Sequence, residues 1–241
     1  MQLHTLHASF NMTDEGIKHM QLHTLCASFS KITDEGIKHM QLHTLSASRH
    51  MTDEGIKHML LHTLYAPTSN ITDKGIKHMQ LHTLYAPCSQ ITDEGIKHMQ
   101  LHTLKASYKI TDEGIKHMLL HTLDASYSQI TDEGLKHMQL HTLNAYGSLI
   151  TNEGIKHMHL HALYASEHMT DEGIKHMHLH TLNASYSKIT DEGIKHMQLQ
   201  ILNARNSQIT DEGIKHMQIH TLDAYDSKIT YNIENGIRKD K

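Results

Sequence analysis

Ile91–Met99 reads ITDEGIKHM, and together with the QLHTL that follows it this stretch recurs from one end of the chain to the other. Counted from the leucine of LHTL, copies begin at Leu3, Leu22, Leu42, Leu61, Leu81, Leu101, Leu120, Leu140, Leu160, Leu179, Leu199 and Ile219, spaced by 19 or 20 residues. A short fixed period outranks local propensity, because units too small to bury a core alone must stack on their neighbours. The expectation is one solenoid over residues 1–241, of about twelve repeats, with 229–241 as a degenerate last repeat or cap in which Ile233 and Ile237 are the final core contributors. Met1-Gln2 matches the Met20-Gln21 that precedes the second copy, so the chain starts inside a repeat. Uncapped ends of such a stack would favour end-to-end self-association.

The fifth copy, LHTLYAPCSQITDEGIKHMQ from Leu81 to Gln100, shows what one unit does. Leu84 and Ala86 alternate with Thr83 and Tyr85, the signature of a short strand with one buried face. A turn follows in Pro87-Cys88-Ser89. Ile91 then returns to the core, and Thr92 is placed to cap a short helix from Asp93. Asp93 and Glu94 suit the positive end of that helix, and Lys97 and His98 the negative end. Ile96 and Met99, three apart, share its inner face. Four copies are one residue shorter at the turn, at Asn11-Met12, His50-Met51, Lys109-Ile110 and His168-Met169. The flexible Met side chain suits the altered geometry there.

The pattern Lxx-LxA-xxS-xITDEGIxxM resembles the leucine-rich repeat, LxxLxLxx(N/C)xL. It is most similar to the variants with I-x-D-E-G before the helix found in ribonuclease-inhibitor-like proteins, GALA-type effectors and the cysteine-containing repeats of F-box proteins. That resemblance implies an α/β right-handed solenoid, with a parallel β-sheet on the concave face and short helical or 3₁₀ turns on the convex face. Two positions depart from the family pattern. The sixth is Ala (Ala8, Ala27, Ala47), and the ninth, usually Asn or Cys bonding the turn backbone, is mostly Ser (Ser30, Ser69, Ser89, Ser128).

Composition narrows the function classes. The formal charge is −4, from 22 basic and 26 acidic side chains, so no basic field calls for nucleic acid. No apolar run is long enough to span a membrane, and the start lacks the pattern of a signal peptide. Cys26 and Cys88 lie about three repeats apart, roughly 15 Å at ~4.8 Å per stacked strand, beyond disulfide reach. They read as free thiols, and the expected location is cytoplasm, or the cytoplasm of a host cell.

Twelve copies can be compared with one another. Near-identity at the Thr, Lys and His of TDEGIKHM is economically explained by recent duplication, so the variable positions carry more information. Variation gathers at the fifth, seventh and eighth positions, which in the family geometry line the concave face and its rim. Aromatic side chains on a rigid sheet are typical anchors for a protein partner. Tyr65, Tyr85 and Tyr164 at the fifth position are the first candidates for contact, with Lys105, Asp124, Asn144, Asn183 and Asn203 at the same position beside them. Tyr108 and Tyr127, at the eighth, either contact a partner or stack as a ladder.

Of the 27 histidines, one set follows the first Leu (His23, His43, His62) and another precedes the helix Met (His39, His58, His78). Stacked repeats would place each set in a column about 4.8 Å apart. Such a column would titrate near pH 6 and loosen in acid, and it offers an alternative function as a metal-binding or pH-responsive array. A straight row makes a poor tetrahedral zinc site, however, so no metal and no cofactor is expected. The recurring Asp-Glu pairs belong to helix starts, no glycine-rich phosphate loop occurs, and no copy breaks the repeat as a catalytic site would. The expected function is therefore a non-catalytic module that binds another protein through its variable face. The resemblance to F-box and GALA-type repeats implies a substrate-selecting arm in ubiquitin ligation. A third alternative is a product of repeat expansion without a selected partner.

Overall fold

The computed structural model describes residues 4–230, which leaves Leu3 and the expected cap at Ile233 and Ile237 outside the described residues. The chain divides into two compact units, Met1–Leu120 and His121–Lys241. In the first, strands β1 (Thr5–His7), β2 (Thr24–Cys26), β3 (Thr44–Ser46), β4 (Thr63–Tyr65), β5 (Thr83–Tyr85) and β6 (Thr103–Lys105) pair in parallel, each with its sequence neighbour. The second unit repeats the arrangement with β7 (Thr122–Asp124), β8 (Thr142–Asn144), β9 (Ala162–Tyr164), β10 (Thr181–Asn183), β11 (Ile201–Asn203) and β12 (Thr221–Asp223). Register is strict, Thr on Thr and Leu on Leu, as at Thr63↔Thr83 and Leu64↔Leu84. Each strand from β1 to β11 is followed by a turn and a four-residue helix, Asp93–Ile96 in the fifth repeat.

The core is what the period predicts. In the fifth repeat Leu81, Leu84, Ala86, Ile91, Ile96 and Met99 are all at most 2% exposed. Burying each large aliphatic side chain contributes about 1.5–3 kcal/mol, and a single repeat cannot complete that cover without its neighbours in the stack. The small sixth residue matters to the backbone as well. The amides of Ala27, Ala47 and Ala66 donate to the carbonyls of Ser46, Tyr65 and Tyr85 in the following strand, which extends each ladder past the strand end.

The structure corrects the reading of TDEG as helix dipole chemistry plus duplicated surface. Asp73 reaches forward one repeat. Its Oδ1 accepts from the Thr92 amide at 2.8 Å and its Oδ2 from the Thr92 hydroxyl at 2.7 Å. The same carboxylate bracket joins Asp14 to Thr33, Asp34 to Thr52, Asp132 to Thr151 and Asp191 to Thr210. A hydroxyl that donates to the carboxylate turns its lone pairs toward the helix, and Thr92 Oγ1 accepts from the Glu94 amide. Two repeats show the dependence. Thr13, in the first repeat, and Thr170, whose partner is Asn152 rather than an aspartate, make no side-chain cap. At Thr170 the Asn152 amide donates to the hydroxyl at 2.8 Å, so the hydroxyl is oriented the other way.

The glycine belongs to the same device. A Cβ on Gly95 would stand 3.1 Å from Asp73 Cγ and 3.2 Å from its Cα, and closer still to Oδ1. Glycine is there because the preceding aspartate packs against its Cα. The Lys and Glu of the motif pair with each other on the surface, Lys97 Nζ lying 2.7 Å from Glu94. Exposed pairs three residues apart add only about 0.2–0.5 kcal/mol each.

Five of the 20-residue copies place their eighth residue in the left-handed region, whereas Phe29 and Thr68, at the same position of two others, do not adopt a positive φ. Cys88, Tyr127, Gly147, Tyr186 and Asn206 in those copies, and Asp226 at the eighth position of the last one, have φ between 49° and 63°. In these copies Ser at the ninth position does the work expected of Asn. Ser128 Oγ donates to the Ala125 carbonyl at 2.7 Å and accepts the Ile130 amide at 3.3 Å. Shorter copies use a Ser two positions earlier, and it bonds across to the previous repeat: Ser48 Oγ to the Ile32 carbonyl, Ser107 to Ile91 and Ser166 to Ile150, at 2.6–2.9 Å. Met51 and Met169 fill the shortened turn and are fully buried.

Candidate functional site

Every strand has the form Thr-Leu-X or a close variant, with the Leu buried in the core from β2 to β12 and half-buried at Leu6 in β1. The third residue, X, is the fifth position of the repeat, so the residue that varies is also the one that ends the strand on the open side. In the first unit this column runs Cys26, Ser46, Tyr65, Tyr85, Lys105 by direct pairing. The Tyr65 and Tyr85 rings lie 5.3 Å apart at a 45° tilt, and both are about one-third exposed. Lys105 Nζ stands 5.4 Å from the Tyr85 ring. A cation that close to a ring gains about 0.5–1 kcal/mol at an exposed site and holds the aromatic surface in one orientation.

In the second unit the column runs Asp124, Asn144, Tyr164, Asn183, Asn203, Asp223. Here the strand ends and the turns after them enclose a groove of about 520 Å³. It brings together four of the sequence candidates, Asn144, Tyr164, Asn183 and Asn203, whereas Asp124 lies outside its lining. Tyr127, Tyr146 and Tyr186 join them from the turns. Tyr127 and Tyr146 meet edge to face at 5.6 Å, and Tyr127 stays largely exposed. Tyr146 and Tyr186 approach to 6.4 Å. Burial, and then the neighbouring Tyr127 hydroxyl, push the Tyr146 phenol above its ordinary value, which keeps it a neutral hydrogen-bonding group.

Arg205 completes the lining and was absent from the sequence candidates. Its guanidinium sits 4.6 Å over the Tyr225 ring. The signal was available: Arg205 stands at the variable seventh position, but a single charge among small residues does not announce itself by type.

The comparisons with known proteins bear on the fold. A family model described as Leucine Rich repeat matches residues 175–197, a little more than one copy of the motif. A chain in the crystal structure of the Rad7 and Elc1 complex in yeast superposes with a TM-score of 0.53 at 13% identity, covering 94% of this chain and 83% of that one. The fold is that of a leucine-rich-repeat protein. No curated protein matches the chain.

On this leucine-rich-repeat frame the histidine column forms as the period requires. His23, His43, His62, His82 and His102 stack at 4.7–4.8 Å in the first unit, with successive rings within 15° of parallel. In the second unit His141, His161 and His180 stack at the same spacing with tilts of 23° and 18°, whereas His121 meets His141 edge to face. Among the described residues no group of three or more His, Cys, Asp or Glu side chains is placed to hold a metal ion, and no helix is long and apolar enough to cross a membrane. Cys26 and Cys88 are free.

Partial desolvation, and then the two flanking imidazoles, hold His62 and His161 below the ordinary 6.5. A depressed native value means that the unfolded chain binds protons first as the pH falls. Stability is therefore full above pH 6.5 and declines as the pH drops through that value. Urea midpoints followed by circular dichroism should fall between pH 7.5 and 5.5, and fall less for a His43→Gln/His62→Gln/His82→Gln variant. Glutamine fits the column, since Gln200 already occupies it and bonds His180 Nε2 at 2.9 Å. Parallel pH dependence in the two proteins would rule the column out as the source.

Proposed function

We propose that the chain is a non-catalytic protein-interaction module, with the column of strand-ending residues as its contact face. The observation that carries this reading is the placement of variation. Residues that differ from repeat to repeat gather at one exposed position on the strands, while the residues on either side of it are repeated. Rigid backbone with interchangeable side chains is what recognition of a protein surface requires. The fold shared with a chain from a two-protein complex supports the reading, and the resemblance of the ITDEG repeats to those of F-box and GALA-type proteins supports the finer role of a substrate-selecting arm in ubiquitin ligation.

The test is affinity capture from source-cell lysate on the full chain, beside Tyr65→Ala/Tyr85→Ala for the first unit and Tyr164→Ala for the second. Rings of this kind at the centre of a contact cost about 2 kcal/mol or more on truncation, so at least one variant should lose a protein that the native chain retains, with unchanged circular dichroism. Identical capture by all three would remove these residues from the contact face.

A further inference from the structure

The groove of the second unit has a hydrogen-bonding polarity that its residue types alone do not reveal. Asn144, Asn183 and Asn203 each spend their Oδ1 on a backbone amide two residues ahead: Tyr146 at 3.1 Å, Ser185 at 3.0 Å and Arg205 at 3.0 Å. Asn183 Oδ1 accepts the Ser185 hydroxyl as well. Because an amide N–H must meet the oxygen, the Nδ2 group of each side chain is the one turned away from the turn. Among the described residues none of these three Nδ2 groups has a protein partner. Asn183 and Asn203 are direct strand partners, about 4.8 Å apart, and Tyr164 stands one strand further on. Arg205 lines the same groove, with its guanidinium resting over the Tyr225 ring at its margin.

Resting on the interaction-module reading, we infer that this groove recognises an acidic side chain of an extended peptide, its carboxylate taken by Asn183 Nδ2, Asn203 Nδ2 and Arg205. A carboxylate is an acceptor with no proton to donate, which matches a row of asparagines whose oxygens are already occupied and whose N–H groups are not. Asp124 and Asp223 close the row at its ends, so the site suits one carboxylate centred on Asn183 rather than an acidic tract. The tyrosines beside it supply flat apolar surface for the residues flanking that carboxylate.

The chain contains its own control. Asp124 and Asp223 occupy the same position and accept the equivalent turn amides, from Ser126 at 3.0 Å and Tyr225 at 3.2 Å. Asn183→Asp/Asn203→Asp therefore keeps the turn bonds and the fold while replacing two donors with two negative charges. Random dodecapeptides displayed on phage are panned against the full chain, and an enriched peptide is measured by fluorescence anisotropy beside its Glu→Gln or Asp→Asn counterpart. Asp or Glu should be enriched at one position. The amide counterpart, the double variant and Arg205→Gln should each weaken binding by about ten-fold or more. Enriched peptides that are neutral or basic, or affinity unchanged in Asn183→Asp/Asn203→Asp, would overturn the inference. If such peptides still depend on Tyr164, the interaction face survives and only its chemistry was misassigned. No enrichment over blank support also sinks the inference, and the lysate capture then decides the broader reading separately.

Discussion

Gly95→Ala should lower the unfolding free energy by about 1–3 kcal/mol, while Gly16→Ala leaves it unchanged or raises it slightly. Both glycines sit at the third position of the same DEGI helix, and neither has a positive φ. Helix propensity alone would favour Ala at both. The difference lies one repeat upstream. A methyl on Gly95 would stand 3.1 Å from Asp73 Cγ and 3.2 Å from Asp73 Cα, and it would push the carboxylate off Thr92. At Gly16 the nearest neighbour to such a methyl is Met12 Cγ at 3.5 Å, an ordinary contact. Urea titration followed by circular dichroism measures both variants. Equal midpoints would mean that the repeats slide to accommodate the methyl and that the aspartate does not dictate the glycine.

Removal of the bracket itself is the second large effect. Asp73→Ala strands the half-buried Thr92 amide and hydroxyl and should cost about 1–3 kcal/mol, the penalty for leaving such groups without partners. Asp73→Asn should cost about 1 kcal/mol or less. Asn152 shows why: it still accepts the Thr170 amide at 3.0 Å and bonds the hydroxyl, and only the cap on that helix is lost. The two sites also share atoms, so Asp73→Ala/Gly95→Ala should be more stable than the sum of the single losses predicts, although the backbone contact at Cα remains. An Asn variant as damaged as the Ala variant would show that charge, rather than bond geometry, holds the repeats together.

Much of this was legible in the sequence, for a physical reason. A stack with a fixed period forces equivalent residues into columns, so Leu84, Ala86, Ile91, Ile96 and Met99 could be placed in the core before any coordinates. Thr92 as a cap and the parallel strands followed in the same way. The histidine spacing needed nothing but the strand separation. Tyr65, Tyr85 and the asparagines could be placed on the exposed edge by alternation, although alternation could not say which of them converge on a groove.

What the sequence alone determined, then, is the architecture: a period of 19 or 20 residues admits few ways to bury its leucines. What only the tertiary structure decided are relations between one repeat and the next. Asp73 reads as a helix-start charge until the Thr92 of the following copy is seen against it. Gly95 reads as a turn residue until that same carboxylate is seen on its Cα. Asn183 reads as a polar surface residue until its oxygen is found bonded to Ser185 and its amide left facing outward. Each of these depends on angles and separations of a few ångströms across strands that the chain reaches some 20 residues later, and residue type does not encode them.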